Sequence, residues 1–312
     1  MVVASHARPL RLRWLLNALN DQTLERSLWE VVVCHDSGPE TERVLANHPL
    51  ATSGTLRFTS LPAGTAPPGA NRNAALRLAR ADTVVFTDDD CRPPREWLER
   101  VLASVHQHPG AIIQGPVDGD PDESVMRRSS FPRTQFVEDI PRAWAECCNI
   151  VYPRELVERL GGFDEDVLTG EDADLCARAC AEGASFLGDA LLLTYHAVEE
   201  GSLLDWVRDA GRWGDLALLV KRHPELRRHF PLRFFWRPSH AWMLAALAAF
   251  FLTRRSVAWA PLAARWALEH RFHAGTHGRW RRLAAVPGWA IIDVAEIAAL
   301  ARGSARHRSL LL

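Results

Sequence analysis

The chain has 312 residues, 47% of them hydrophobic and 24% charged, with 19 glycines, 19 prolines and six cysteines. This composition excludes a disordered chain, a collagen-like repeat and a small disulfide scaffold, and it leaves room for one large domain or a domain with an appendage. The formal net charge of -1 conceals a division, because residues 1–200 carry 19 basic residues against 31 acids and residues 201–312 carry 18 against seven. The parts are therefore net -12 and net +11, and eight of the 12 tryptophans lie in the second. A basic, aromatic segment suits an anionic surface such as a membrane, and attraction between the two parts is the plainer alternative.

Val2-Val3-Ala4 reads as a short strand, and the spacing of Leu and Trp predicts a helix over 10–20. A buried strand over 30–34 (EVVVC), a helix over 39–46 and a strand over 56–61 follow. An Ala/Leu-rich helix is predicted over 69–80, a strand over 83–87, a helix over 95–108 and an extended run over 111–117. Strands alternating with helices of this length predict a mainly parallel α/β sheet flanked by helices. Ligands of such sheets sit beyond the carboxyl ends of the strands. No signal-peptide pattern precedes Val2, and the chain reads as beginning inside its first strand. The cysteines form no C-x-x-C pair, which predicts reduced, mostly buried thiols and a cytosolic compartment.

Acids cluster after the strands. His35-Asp36 follows EVVVC, Asp88-Asp89-Asp90 follows TVVFT, and Glu171-Asp172 stands at a predicted helix start, where the macrodipole favours negative charge. A hard divalent cation such as Mg2+ or Mn2+ takes one or two carboxylates and completes its shell with substrate phosphates. A solvated aspartate turn or a helix N-cap is the alternative for the triple.

VVVASHARP, EVVVCHDSG, GANRNAA, VFTDDDCRPP, CCNIVYPRELVERLGGFDE and TGEDADLCARA occur in this order. Together they resemble a family 2 glycosyltransferase of the GT-A fold over residues 1–200. The resemblance implies a GT-A catalytic domain over 1–200, and residues 201–312 read from their own pattern as a basic, Trp-rich helical region that suits membrane association. It implies that Asp36 hydrogen-bonds the nucleotide base and that Arg72 helps hold the donor. It makes Asp88 and Asp90 the D-x-D pair, with Asp90 on the metal, Asp88 beside the ribose and Asp89 the substitute if the register shifts. Asp172 matches the general base, beside Glu171, and His196 matches a late metal-ligand histidine. Asn149 falls in the segment that lines the acceptor side. The implied cofactor is Mn2+ or Mg2+, and the implied partners are a nucleotide-diphosphate sugar and a glycan or lipid-linked acceptor, with no nucleic acid. His35 stands where family members commonly carry a further acid, and Met1 stands closer to the first strand than usual, which suggests a truncated or misassigned start.

The expected reaction is inverting transfer of a sugar to a hydroxyl in cell-surface polysaccharide or glycolipid synthesis, at the inner face of the membrane. The alternatives are a nucleotidyltransferase of related fold and a non-catalytic, membrane-bound glycan-assembly protein. Beyond residue 200, the runs 203–219, 241–252, 257–268 and 283–300 have helical or apolar character. None approaches a clean span of about 20 apolar residues. Short apolar helices rimmed by Arg and Trp suit monotopic association, and a packed helical core or a dimer interface is the alternative.

Overall fold

The computed structural model describes residues 1–64, 66–126, 131–254, 256–270 and 279–312. They form two compact units: residues 1–121 with 134–197, and residues 122–133 with 198–312. The first unit begins with β1 (Val2–Ser5), α1 (Pro9–Asn20), β2 (Val31–His35), α2 (Pro39–Ala46), α3 (Pro49–Thr52), β3 (Leu56–Ser60) and α4 (Pro68–Leu76). It continues with β4 (Thr83–Asp88), β5 (Cys91–Arg92), α5 (Trp97–Gln107), β6 (Ile112–Gln114) and β7 (Val117–Gly119). After β8 (Pro132–Arg133), which belongs to the second unit, come β9 (Ile150–Pro153), α6 (Arg154–Arg159), α7 (Glu171–Ala181), β10 (Phe186–Gly188) and β11 (Thr194–His196).

The main sheet has the order β3-β2-β1-β4-β9-β6-β10, and β9 alone runs against its neighbours. Every residue of β2 is buried because helices cover both of its faces. Val31 and Val33 join the core cluster of Leu12, Leu15, Leu16 and Leu19 from α1. Val32 and Cys34 face the small Ala74 and Ala75 of α4. At roughly 1.5–3 kcal/mol per fully buried leucine, the α1 stripe supplies on the order of 6–12 kcal/mol of gross hydrophobic stabilisation, an upper bound.

Two elements end earlier than their sequence periodicity predicts. α4 stops at Leu76 rather than at residue 80, and the Glu30 carboxylate accepts the Arg80 amide at 2.6 Å, taking the backbone out of the helical path. The extended run over 111–117 breaks at Gly115-Pro116, so that β6 stays in the main sheet and β7 enters a small sheet, β5-β11-β7. A Cβ on Gly115 would collide with the Leu192 carbonyl and the Asn149 amide, so the chain turns where only glycine fits.

The second unit pairs β12 (Glu199–Glu200) with β8 and continues through α8 (Leu203–Asp209), α9 (Leu216–Arg222), α10 (Pro238–Thr253), α11 (Ser256–His270) and α12 (Arg279–His307). The predicted helical run over 203–219 is interrupted by a 3-10 stretch, Ala210–Asp215. Here α12 comes so close that a Cβ on Gly303 would collide with the Gly214 carbonyl, and one on Gly214 would press on the Ala299 carbonyl. Trp289 anchors the α12 face, with ring centroids 5.4 Å from Phe131 and 5.5 Å from Trp206. Asp293 and Glu296 of α12 point inward: Arg237 and His240 hold Glu296 at 2.9 and 3.1 Å, and the Trp266 indole donates to Asp293 at 2.7 Å. Among the described residues, no helix is long and apolar enough to cross a membrane.

Candidate active site

Because β1, β2 and β4 are parallel, their carboxyl ends reach one edge of the sheet, ending at Ser5, His35 and Asp88. The chain turns after Asp88 and enters β5, which pairs antiparallel with β11 so that His196 lies opposite Cys91. This register brings a residue from far along the chain to the aspartate triple. The Ala197 amide donates to the Asp90 carbonyl at 2.9 Å, and His196 Nε2 lies 3.3 Å from Asp90 Oδ1. Ligand atoms of Asp88, Asp90 and His196 all lie within 4.8 Å of one another.

The three aspartates have separate surroundings. Asp88 keeps a side chain 23% exposed. Asp90 is buried, and its Oδ1 has no hydrogen bond among the described residues. Asp89 is wholly buried and turns toward β1, accepting the Ser5 hydroxyl at 2.7 Å and pairing with Arg8 at 2.8 Å. Burial raises its pKa from the usual 3.8 to about 7, with the charges of Asp90 and Asp88 adding to the rise and Arg8 opposing it. Two oxygens and one imidazole nitrogen converge, one of the oxygens orphaned, and this donor set fits a hard divalent cation such as Mn2+ or Mg2+.

Arg72 of α4 links the two acidic groups. Its buried guanidinium donates to Glu171 at 2.6 Å and to Asp88 at 3.1 Å, and lies over the Phe163 ring. The next residue, Asn73, clamps the Phe163 backbone with a pair of hydrogen bonds, each 2.9 Å long. Gly162, at φ +78°, leaves the space that the Asn73 amide occupies. α7 therefore begins close to Arg72, with Gly170 at its N-cap in the left-handed region and Glu171 and Asp172 in its first turn. Asp172 remains partly exposed. Its pKa is raised well above the carboxylate range, first by burial and next by the Glu171 charge, against the pull of Arg72.

Asp36, at the end of β2, is buried and meets His6 Nδ1 at 2.7 Å and the Ala66 amide at 3.3 Å. Asn149 lies apart from this group in a framework position. It donates to the Leu192 and Pro116 carbonyls at 2.5 and 2.9 Å and accepts the Trp97 indole at 3.2 Å. Its amide thus ties β9 to the chain around Gly115, and burial commits it to that task.

Two further residues belong to this neighbourhood. Arg8 pairs with Asp90 as well as Asp89, and only the arginine in SHARP signals it in the sequence. Glu146, bonded to Gln114 at 2.9 Å, adds a like charge that contributes to the raised pKa of Asp172. Nothing in the spacing of AECCN marks it.

Comparison with known proteins places this geometry in context. The model of the family described as "Glycosyl transferase family 2" matches residues 1–161. The chain is similar to the pre-mycofactocin glycosyltransferase of Mycobacterium tuberculosis, with 29% identity over 68% of this chain and 49% of the relative, so it spans about half the length of that protein. It is similar to the glycosyltransferase AglE of Haloferax volcanii, at 25% identity over 72% of this chain and 77% of the relative. Among solved structures, the mannosyltransferase PcManGT of Pyrobaculum calidifontis, in complex with GDP-Man and Mn2+, superposes with a TM-score of 0.57 at 20% identity, over 97% of this chain and 85% of that one. S. aureus TarS 1–349 in complex with UDP-GlcNAc gives 0.55 at 17% identity, over 99% and 91%. At these identities the structural likeness speaks for the fold.

Proposed function

This chain belongs to glycosyl transferase family 2, and from that premise we infer that it is a glycosyltransferase that carries out inverting, metal-dependent transfer of a sugar from a nucleotide-diphosphate donor to a hydroxyl. The observation that carries the reading is the meeting of Asp88, Asp90 and His196 within 4.8 Å at the carboxyl edge of a parallel sheet. Asp88, Asp90 and His196 would hold Mn2+ or Mg2+, which supplies Lewis-acid neutralisation of the charge that grows on the departing diphosphate.

The remaining roles fall to the protein's own groups. Asp36, steadied by His6, receives the base of the nucleotide. Arg72 fixes the distance between Asp88 and the start of α7, so that donor and base are set by one guanidinium. Asp172 accepts the proton of the acceptor hydroxyl as it attacks, and its raised pKa makes it a stronger base than an ordinary aspartate. One base and one displacement invert the anomeric carbon. The acceptor is a glycan or lipid-linked hydroxyl of cell-surface polysaccharide or glycolipid synthesis, met at the inner face of the membrane.

The test is a thermal-shift screen of nucleoside diphosphates and their sugars with and without Mn2+, since a ligand of the folded state raises its stability. GDP-Man and UDP-GlcNAc, the ligands of the two structural neighbours, come first. A donor that stabilises the protein only with the metal, and no longer stabilises Asp90→Ala, supports the site. Asp172→Asn should keep donor binding and lose transfer, and retained turnover there removes Asp172 as the base.

A further inference from the structure

In the second unit, α10 and α11 are consecutive helices that pack against each other, and Arg254 caps α10 at their joint. Residues 241–253 hold no charged side chain. In a packed helical pair, such a run would be expected to turn its largest apolar groups inward. Here several face outward at the joint: Phe251 is 71% exposed, Leu252 85%, Val257 83%, and Phe250 and Leu247 are each 46% exposed. Phe250 stacks edge-on with Phe251 at 5.4 Å and approaches Trp259 across the pair at 6.5 Å, so the apolar groups form one patch. Arg254, in the left-handed region at φ 50°, closes α10 and is itself exposed. Nearer the other end of α10, Arg265 lies over the Trp242 ring at 5.6 Å.

We propose that this helical joint is a membrane-docking tip that dips into the interface of an anionic bilayer. Phe250, Phe251, Leu252 and Val257 enter the acyl boundary and Arg254 engages lipid phosphates. Apolar side chains beside arginine suit an interfacial depth of about 5–10 Å, and long basic side chains keep their charge at the headgroups. The charge of Arg254 at the joint opposes deep insertion, in keeping with the absence of a spanning helix among the described residues.

Charge decides between a bilayer and a second copy of the chain as the occupant. Residues 201–312 carry a net +11. A two-fold contact between identical tips would set Arg254 against its own copy, whereas an anionic surface offers the opposite sign. The inference goes beyond the transfer reaction and rests on none of the site residues.

The test is flotation of the full chain with phosphatidylcholine vesicles with and without phosphatidylglycerol. Phe251→Ser/Leu252→Ser and Arg254→Gln serve as variants, and all three positions are exposed enough to leave the fold intact. The parent should float with the anionic vesicles and far less with phosphatidylcholine alone. The double variant should lose partitioning by roughly tenfold or more, from two lost apolar anchors, and Arg254→Gln should lose part of the preference for phosphatidylglycerol. Thermal shifts with nucleotide should be unchanged in both variants. A parent that stays at the bottom of the gradient, or a double variant that floats as well as the parent, overturns the proposal. So does a parent dimer that the double variant dissolves without any vesicle binding. Flotation does not need catalysis: an inactive protein that floats counts against the transferase reaction alone, and an active one that never floats counts against the docking tip alone.

Discussion

Asp172 bears two opposed demands, being close enough to other acids to hold its proton yet required to give it up before it can take another. Burial is the larger cause of its raised pKa and the Glu171 charge the next. Replacing Glu171 by Gln removes a like charge and frees Arg72 from its 2.6 Å partner, and both changes favour the ionised form of Asp172. The ascending limb of the pH–rate profile should therefore move to lower pH in Glu171→Gln, while a merely structural Glu171 would lower the rate without moving the limb. Asp89 poses the same physics as a stability question. Its folded-state pKa of about 7 lies above its usual 3.8, so the folded protein holds the proton more tightly than the unfolded chain. Its contribution is fully present below about pH 4 and is lost as pH rises through about 7. Asp89→Asn stays neutral throughout, so in chelator the stability of the variant relative to the parent should rise across that window. Urea unfolding at several pH values measures it, and a flat difference would show that Arg8 already compensates the charge.

At the scale of elements, α4 places both Arg72 and the loop that leads into α7. Asn73 clamps the Phe163 backbone through both its carbonyl and its amide nitrogen, and that nitrogen also donates to Glu165 at 2.8 Å. Asn73→Ala strands a buried amide and carbonyl and should cost about 2–4 kcal/mol in unfolding free energy. A loss below about 0.5 kcal/mol would mean that the loop holds itself. The alternation of strands and helices and the acids after β2 and β4 were legible in the sequence, because a parallel strand buried on both faces leaves a run of apolar residues and the chain must turn at its end. GANRNAA and GGFDE were legible as separate motifs. Their joining was not, since the Asn73–Phe163 pairing spans 90 residues and leaves no local period. The pairing of Arg8 with Asp90 spans 82 residues and escapes spacing for the same reason. The Gly115-Pro116 dipeptide was a turn signal inside a run read as one strand, and only the packing of Leu192 and Asn149 shows why glycine stands there.

For the whole molecule, a net charge of -1 is the sum of two large and opposite quantities, and solution behaviour follows the parts as well as the sum. With a pI of about 6.9, the chain has almost no net repulsion at neutral pH to keep copies apart. The -12 of residues 1–200 on one copy attracts the +11 of residues 201–312 on another. That attraction acts between exposed charges and shortens with ionic strength, from about 10 Å at 0.1 M to about 3 Å at 1 M. Salt should therefore raise solubility at neutral pH rather than lower it, over the range in which screening is the dominant effect. Light scattering during a NaCl titration at pH 7 should show association at low salt that dissolves toward 0.5 M, a concentration chosen as roughly intermediate on the same screening scale. The same salt should weaken the electrostatic share of vesicle binding while leaving the apolar share of the α10–α11 tip in place, so the anionic preference should fall before binding itself does. Association that grows with salt would instead assign the contact to the exposed phenylalanines and leucines, and would make self-association of that tip the dominant behaviour of the chain.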